Sequence, residues 1–174
     1  AETFGFNQDL GIPGAATSTI PAAGEIGDDL AVGSTAIGQG KVLTTPLQMA
    51  LIAAAIGEEG RLMEPTLRKG ERTGSSQATP RSVARFVGRG MREVVKTGTG
   101  VGAAVKGVPV AGKTGTAEVG AAREFTQPWF IAFAPVEKPK MAIAVTVERT
   151  TGQGGTVAAP IAKSVLEAML GGGV

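Results

Sequence analysis

At Val108 the apolar period of this chain changes, and that change restricts its fold more than any other feature of the sequence. Upstream, residues 46–60 and 79–96 carry apolar side chains at helical spacing. Downstream, VPVAGKTGTAEV, QPWFIAFAP and KMAIAVTVE read as three strands, the last with Met141, Ile143, Val145 and Val147 on one face. After the Gly-rich TTGQGGT the helical period returns over residues 158–170, with Pro160 in the first turn and Ile161, Val165 and Met169 on one side. Two helices, three sequential strands and a closing helix predict an α+β fold in which an antiparallel sheet is packed with helices.

The first helix has the clearest start. Thr45-Pro46-Leu47-Gln48 places Thr at the N-cap, Pro at the first helical position and Gln three residues after the cap, a capping-box arrangement. The following LQMALIAAAIGEEG is apolar nearly all round and predicts a buried helix ending at Gly60. The second helix begins at Thr79-Pro80 and runs to about Lys96, with Val83, Phe86, Val87, Met91, Val94 and Val95 as its apolar residues and Gly88 and Gly90 in its interior. Residues 1–40 lack a sustained period and read as irregular chain with turns, and residues 61–78 as a short extended piece followed by a polar, exposed loop.

The 174 residues, 43% of them hydrophobic, suit one domain or one large piece of a domain. A net charge of +2 does not by itself point to nucleic acid or an anionic membrane. The chain has no Cys, His or Tyr. Thiol nucleophiles, thiolate zinc sites, Ser-His-Asp triads and phenolic acids are therefore excluded, and acid–base chemistry must use Lys, Asp or Glu. No metal and no cofactor is expected. Nothing at the N-terminus resembles a signal peptide, and no apolar run approaches the length of a membrane span. The chain begins without Met inside what reads as a structured segment, which predicts a fragment or processed product.

The stretch GVPVAGKTGTAEV, Gly107–Val119, fits two chemistries. From Gly107 to Thr114 it matches the phosphate-cradling G-x-x-x-x-G-K-[ST]; from Lys113 to Gly115 it is K-T-G, a signature of penicillin-recognising serine enzymes. A phosphate loop needs a helix directly after it and a carboxylate for magnesium. Here Gly115 follows, no helical spacing comes after it, and no Asp occurs beyond Asp29. The K-T-G reading asks instead for a cation and hydroxyls for a carboxylate, and for a residue without a side chain where an extended substrate approaches. Lys113, Thr114 with Thr116, and Gly115 supply these in order. Strand alternation puts Lys113 on the face opposite Thr114 and Thr116, so all three can serve one site only on an edge strand, and an edge strand is predicted.

The sequence contains a second copy, Lys96-Thr97-Gly98-Thr99-Gly100. It directly follows a helix, so its glycines suit a C-cap and its Lys the last turn. The helix before it carries Arg81, Arg85, Arg89, Arg92 and Lys96 along one face. Phosphate contacts are one reading of that row; a solvated helix face is preferred, because no aromatic residues interleave and the total charge is low.

The wider pattern resembles the C-terminal half of a penicillin-binding protein transpeptidase domain of the monofunctional class, itself part of the serine β-lactamase-like fold. FGFNQDLGIPG, STAIGQGKVLTTPLQMALIAAAIGEEGRLMEPTL, GVPVAGKTGTAEV, QPWFIAFAP and GGTVAAPIAKSVLEAML carry the resemblance, in matching order and spacing. The resemblance implies a serine D,D-transpeptidase that cross-links peptidoglycan through an acyl-enzyme made from a D-Ala-D-Ala stem peptide, and that β-lactams acylate. It further implies that Lys113 supplies positive potential and a hydrogen bond, that Thr114 and Thr116 bind the substrate carboxylate, that the Thr116 backbone N–H is an oxyanion-hole donor, and that Gly115 permits close approach. Trp129 and Phe130 read as core packing.

The chain departs from the family in lacking S-x-x-K and S-x-N, so no nucleophile is present. The expectation is that residues 1–174 form the C-terminal portion of one transpeptidase domain, inactive alone, whose missing N-terminal half is its principal partner. An exposed strand edge prone to self-association follows from that. The implied location is the outer face of the cytoplasmic membrane in a bacterial envelope, through an anchor outside this chain. A non-catalytic β-lactam sensor or a degenerate penicillin-binding scaffold is the alternative that keeps the ancestry without the catalysis.

Overall fold

The computed structural model describes residues 1–120 and 124–171. In chain order they form helix α1 (Asp29–Ala36), helix α2 (Pro46–Gly57), a small hairpin β1 (Arg61–Met63) and β2 (Ser75–Gln77), helix α3 (Arg81–Lys96), strands β3 (Ala111–Val119), β4 (Phe125–Ala134) and β5 (Met141–Thr146), and helix α4 (Ala159–Leu170). The three long strands pair antiparallel in the order β3-β4-β5, with Thr114 opposite Phe130 and Ala132 opposite Ile143. The α+β class and the antiparallel sheet are as the change of period predicts. β3 is an edge strand among the described residues.

Strand alternation divides the core in two. On one face Phe130, Ala132 and Ala134 of β4 meet Ala159, Ala162 and Leu166 of α4, with Val95 of α3 and Val110 closing the cluster. On the other, Ala111 and Phe133 meet Met91 of α3, flanked by Ile56 of α2 and Ile131. Helix α3 thus contributes to both clusters and lies beside the start of β3.

Helix α4, and the first half of α3, turn a different side inward from the one their largest apolar residues suggest; Met91 and Val95 of α3 are buried as expected. In α3 the buried residues are Ala84, Gly88, Met91 and Val95, while Val83, Phe86 and Val87 are exposed, Phe86 by 71%. Gly88 marks the approach: a Cβ there would lie 3.6 Å from the Phe133 ring and 3.7 Å from Ile56. In α4 the buried residues are Ala159, Ala162 and Leu166, and Ile161, Val165 and Met169 face outward. Small residues let helix and sheet backbones approach, so the inward face is the one with less side chain, not more.

Other expectations need correction. Residues 1–40 contain a helix, α1, begun by Asp28, whose carboxylate accepts the Ala31 N–H at 2.9 Å. The polar loop after residue 70 contains β2, which pairs back on β1. Helix α2 is mostly half-buried, with only Gln48, Ala53 and Ala55 fully buried. Its N-cap forms as predicted, Thr45 Oγ1 accepting the Gln48 N–H at 3.1 Å. The Gln48 side chain does not complete a capping box; its Nε2 donates to the Phe4 carbonyl at 2.6 Å and ties the N-terminal segment to α2.

Candidate active site

The free edge of β3 is where the K-T-G residues gather. β3 can lie close to β4 because Gly112 has no side chain: a Cβ would fall 2.3 Å from the Phe130 ring. Further along, Lys113 and Thr114 point to opposite faces, but the Lys113 Nζ bends round the edge to donate to the Thr114 carbonyl at 2.7 Å. The Thr116 carbonyl accepts from Gln39 Nε2 at 3.4 Å. The Thr114 and Thr116 carbonyls therefore point away from β4. In an antiparallel strand the N–H of a residue points to the same side as its C=O. The Thr116 N–H is thus directed to the open edge, next to the Lys113 ammonium.

The hydroxyls are held from behind. Thr116 Oγ1 accepts the Gly154 N–H at 3.2 Å, and Thr114 Oγ1 lies 2.7 Å from Thr99 Oγ1. The turn preceding α4 reaches β3 only because its residues lack side chains. A Cβ on Gly154 would sit 2.4 Å from the Trp129 carbonyl and 2.5 Å from that of Gly115; one on Gly155 would sit 2.3 Å from the Thr99 carbonyl. In front of Lys113, Thr114, Gly115 and Thr116 is a cleft of about 300 Å³, walled by Phe6, Ile37, Gln39, Met49, Ile52 and Trp129. The arrangement offers one cation and an outward backbone amide beside an apolar wall, with two hydroxyls on the opposite face of the same edge strand. Such an arrangement is chemically suited to an extended chain bearing an anion.

The alternative readings find less support in the geometry. After Lys113-Thr114 the chain continues as strand to Val119, so no helix N-terminus faces a phosphate. Along α3, Glu59 holds Arg81 at 2.7 Å and Arg85 at 2.8 Å, Lys96 lies 3.7 Å from Glu93, Arg89 lies over the Phe86 ring, and Arg92 reaches the Val110 carbonyl. The Arg85 hydrogen bond, helped by the charge of Arg81, holds the Glu59 carboxyl below its ordinary value. Much of the basic row is engaged within the chain.

Residues 1–167 match the model of the penicillin-binding protein transpeptidase domain. The chain belongs to the penicillin-binding protein transpeptidase family. Among curated relatives, the peptidoglycan D,D-transpeptidase PbpA of Mycobacterium tuberculosis is 42% identical over 170 residues, which cover 86% of this chain and 34% of that protein. Stage V sporulation protein D of Bacillus subtilis is 31% identical over 185 residues, covering 94% and 28%. Among solved structures, penicillin-binding protein A from Mycobacterium tuberculosis superimposes with a TM-score of 0.85 at 36% identity, covering 98% of this chain and 44% of that one. The same protein as a penicillin G acyl-enzyme complex gives a TM-score of 0.80 at 35% identity, covering 97% and 41%. The chain spans about a third of the length of the curated relatives it matches.

Within this member of the family, the residues singled out from sequence, Lys113, Thr114, Gly115 and Thr116, lie together on one strand edge and line one cleft. Three contributors were not foreseen. Thr99 belongs to the K-T-G-T copy read as a helix end, Gly154 to a Gly-rich stretch read as a loop, and Gln39 to a segment read as irregular. Trp129 was read as core with Phe130; only Phe130 is fully buried, and Trp129 walls the cleft. The one available signal was Thr99, since the second K-T-G-T repeats the hydroxyl spacing of the first.

Proposed function

We propose that these residues supply the substrate-binding half of the active site of a serine D,D-transpeptidase, whose nucleophile lies in chain outside residues 1–174. The observation that carries this reading is the β3 edge, where Lys113, Thr114, Thr116 and an outward Thr116 N–H share one cleft in a member of this family. In the proposed reaction a serine hydroxyl attacks the carbonyl carbon between the two terminal D-Ala residues of a stem peptide. The C–N bond breaks, D-Ala leaves with a proton, and an acyl-enzyme remains. An amine from a neighbouring strand then attacks the ester carbonyl, forming the cross-link and returning the serine its proton.

Each residue has a part in this. Thr114 and Thr116 donate hydrogen bonds to the terminal carboxylate, and Lys113 supplies the positive potential that draws it in. The Thr116 N–H meets the oxyanion of the tetrahedral intermediate, a contact worth on the order of 3 kcal/mol of barrier in comparable sites. Gly115 presents no side chain where a substrate would lie along the strand edge. β-Lactams would acylate the same serine. Residues 1–174 are the C-terminal portion of one transpeptidase domain in this reading, inactive alone, working at the outer face of the cytoplasmic membrane. No described helix is long and apolar enough to cross a membrane, so an anchor would lie elsewhere.

The test supplies the longer protein containing this chain with a peptide ending in D-Ala-D-Ala and an acceptor amine. One D-Ala should be released per peptide consumed, and penicillin G should block the release. No release, or release indifferent to penicillin G, would sink the proposal.

A further inference from the structure

The two hydroxyls of the substrate strand are each met from behind by another polar group. Behind Thr116 the partner is the Gly154 N–H, which can only donate. With one lone pair of Thr116 Oγ1 so occupied, its own proton is free to point toward the open edge of the strand. Behind Thr114 the partner is Thr99 Oγ1 at 2.7 Å, from the turn that ends α3. A hydroxyl can donate or accept, so the direction of this bond decides whether Thr114 is available to an anion.

The turn is built to hold Thr99 there. The Gly98 N–H donates to the Val94 carbonyl at 3.1 Å, and the Gly100 N–H donates to the same carbonyl at 3.0 Å. Side chains are excluded on both sides of Thr99: a Cβ on Gly98 would lie 2.9 Å from the Val94 Cα, and one on Gly100 3.2 Å from the Phe130 ring. Neither glycine has the left-handed φ of a glycine helix cap. Close approach, rather than backbone freedom, is their use here. Thr99 is itself exposed, so packing alone does not account for its position.

We propose that Thr99 is a positioning residue for carboxylate recognition: its hydroxyl donates to Thr114 Oγ1 and thereby turns the Thr114 proton toward the anion. This rests on the reading of Thr114 as a carboxylate ligand given above. Donation into an oxygen also strengthens that oxygen's own donated bond, so the pair acts as a short relay. The second K-T-G-T of the sequence then belongs to the same site as the first, through its last residue.

The test compares acylation of the longer protein by penicillin G, which bears a carboxylate, and by its methyl ester, which does not. Thr99→Val should slow acylation by the acid about fivefold and by the ester less than about twofold, the size expected for one lost hydrogen bond. Thr99→Ser should restore the acid rate, and the thermal midpoint should stay close to that of the parent. An equal fall with both compounds, or no fall with the acid, overturns the inference while leaving the transpeptidase reading in place. A parent protein acylated by neither compound overturns that reading and this inference with it.

Discussion

Lys113 and Thr116 meet at one strand edge because the residues around them have so little side chain. Gly112 lets β3 lie on Phe130, and Gly154 lets the turn before α4 lie on Gly115. Gly154→Ala should destabilise the chain by about 2 kcal/mol, since two backbone carbonyls stand where the methyl would go and neither is a flexible side-chain end. Denaturant unfolding of parent and variant measures this; an unchanged midpoint would mean that the turn does not rest on β3. On the chemical side, Lys113→Ala in the longer protein should lower the acylation rate about a hundredfold with little change in thermal midpoint, because the exposed ammonium serves the cleft rather than the core. Lys113, Thr114, Gly115 and Thr116 were legible as a candidate site because their chemistry is written in their side chains. Gly154 was not, since a glycine read alone signals a loop whether it turns freely or makes room for a neighbouring strand.

At the level of elements, the sheet was easier to read than the faces of the helices. Alternation through β4 and β5 gives one answer for each residue, whereas α3 and α4 each present two candidate stripes. Leu166→Ala should cost about 3 kcal/mol and Met169→Ala less than about 0.5, because Leu166 is fully buried against β4 while Met169 faces outward. Thermal or denaturant unfolding of the pair decides which side of α4 is the core; equal losses would contradict the packing described. α1 escaped notice because Gly33, Ser34 and Thr35 favour no helix and none of its residues is buried; the Asp28 cap was its one signal. β2 was hidden in a polar stretch because all three of its residues are exposed, which removes alternation as a guide.

At the start of α3, stability depends on pH through Glu59. Arg85 and Arg81 hold the Glu59 carboxyl below its ordinary value of about 4.5, so Glu59 stabilises the fold when ionised. That contribution is fully present above the ordinary value and is lost as pH falls through the lowered one. The difference in thermal midpoint between the parent and Glu59→Gln should be small and constant near neutrality and should shrink as pH falls below the ordinary value, disappearing once the carboxyl is protonated. A difference that grows on acidification would contradict the ion-paired arrangement.

For the whole molecule, α4 and the strand at the far side of the sheet bear on what else the chain must meet. β5 pairs only with β4 among the described residues, and Ile161, Val165 and Met169 lie exposed on α4. We propose that this edge pairs with another copy when the chain is alone, so its mean mass in sedimentation velocity should rise with concentration; a monomer throughout the range would refute that. The overall class was legible because the change from helical to alternating period is a property of long segments. The proposed partition of one site between this chain and residues outside it has its only sequence signal in two absent motifs.

If the nucleophile lies outside residues 1–174, this chain binds but is not acylated, while the longer protein is. The most direct measurement is intact mass after incubation with penicillin G, made on this chain and on the longer protein side by side. No adduct is expected on the chain, and a gain of one penicillin is expected on the longer protein, located on a serine outside these residues. An adduct on the chain itself, or none on the longer protein, would contradict that expectation.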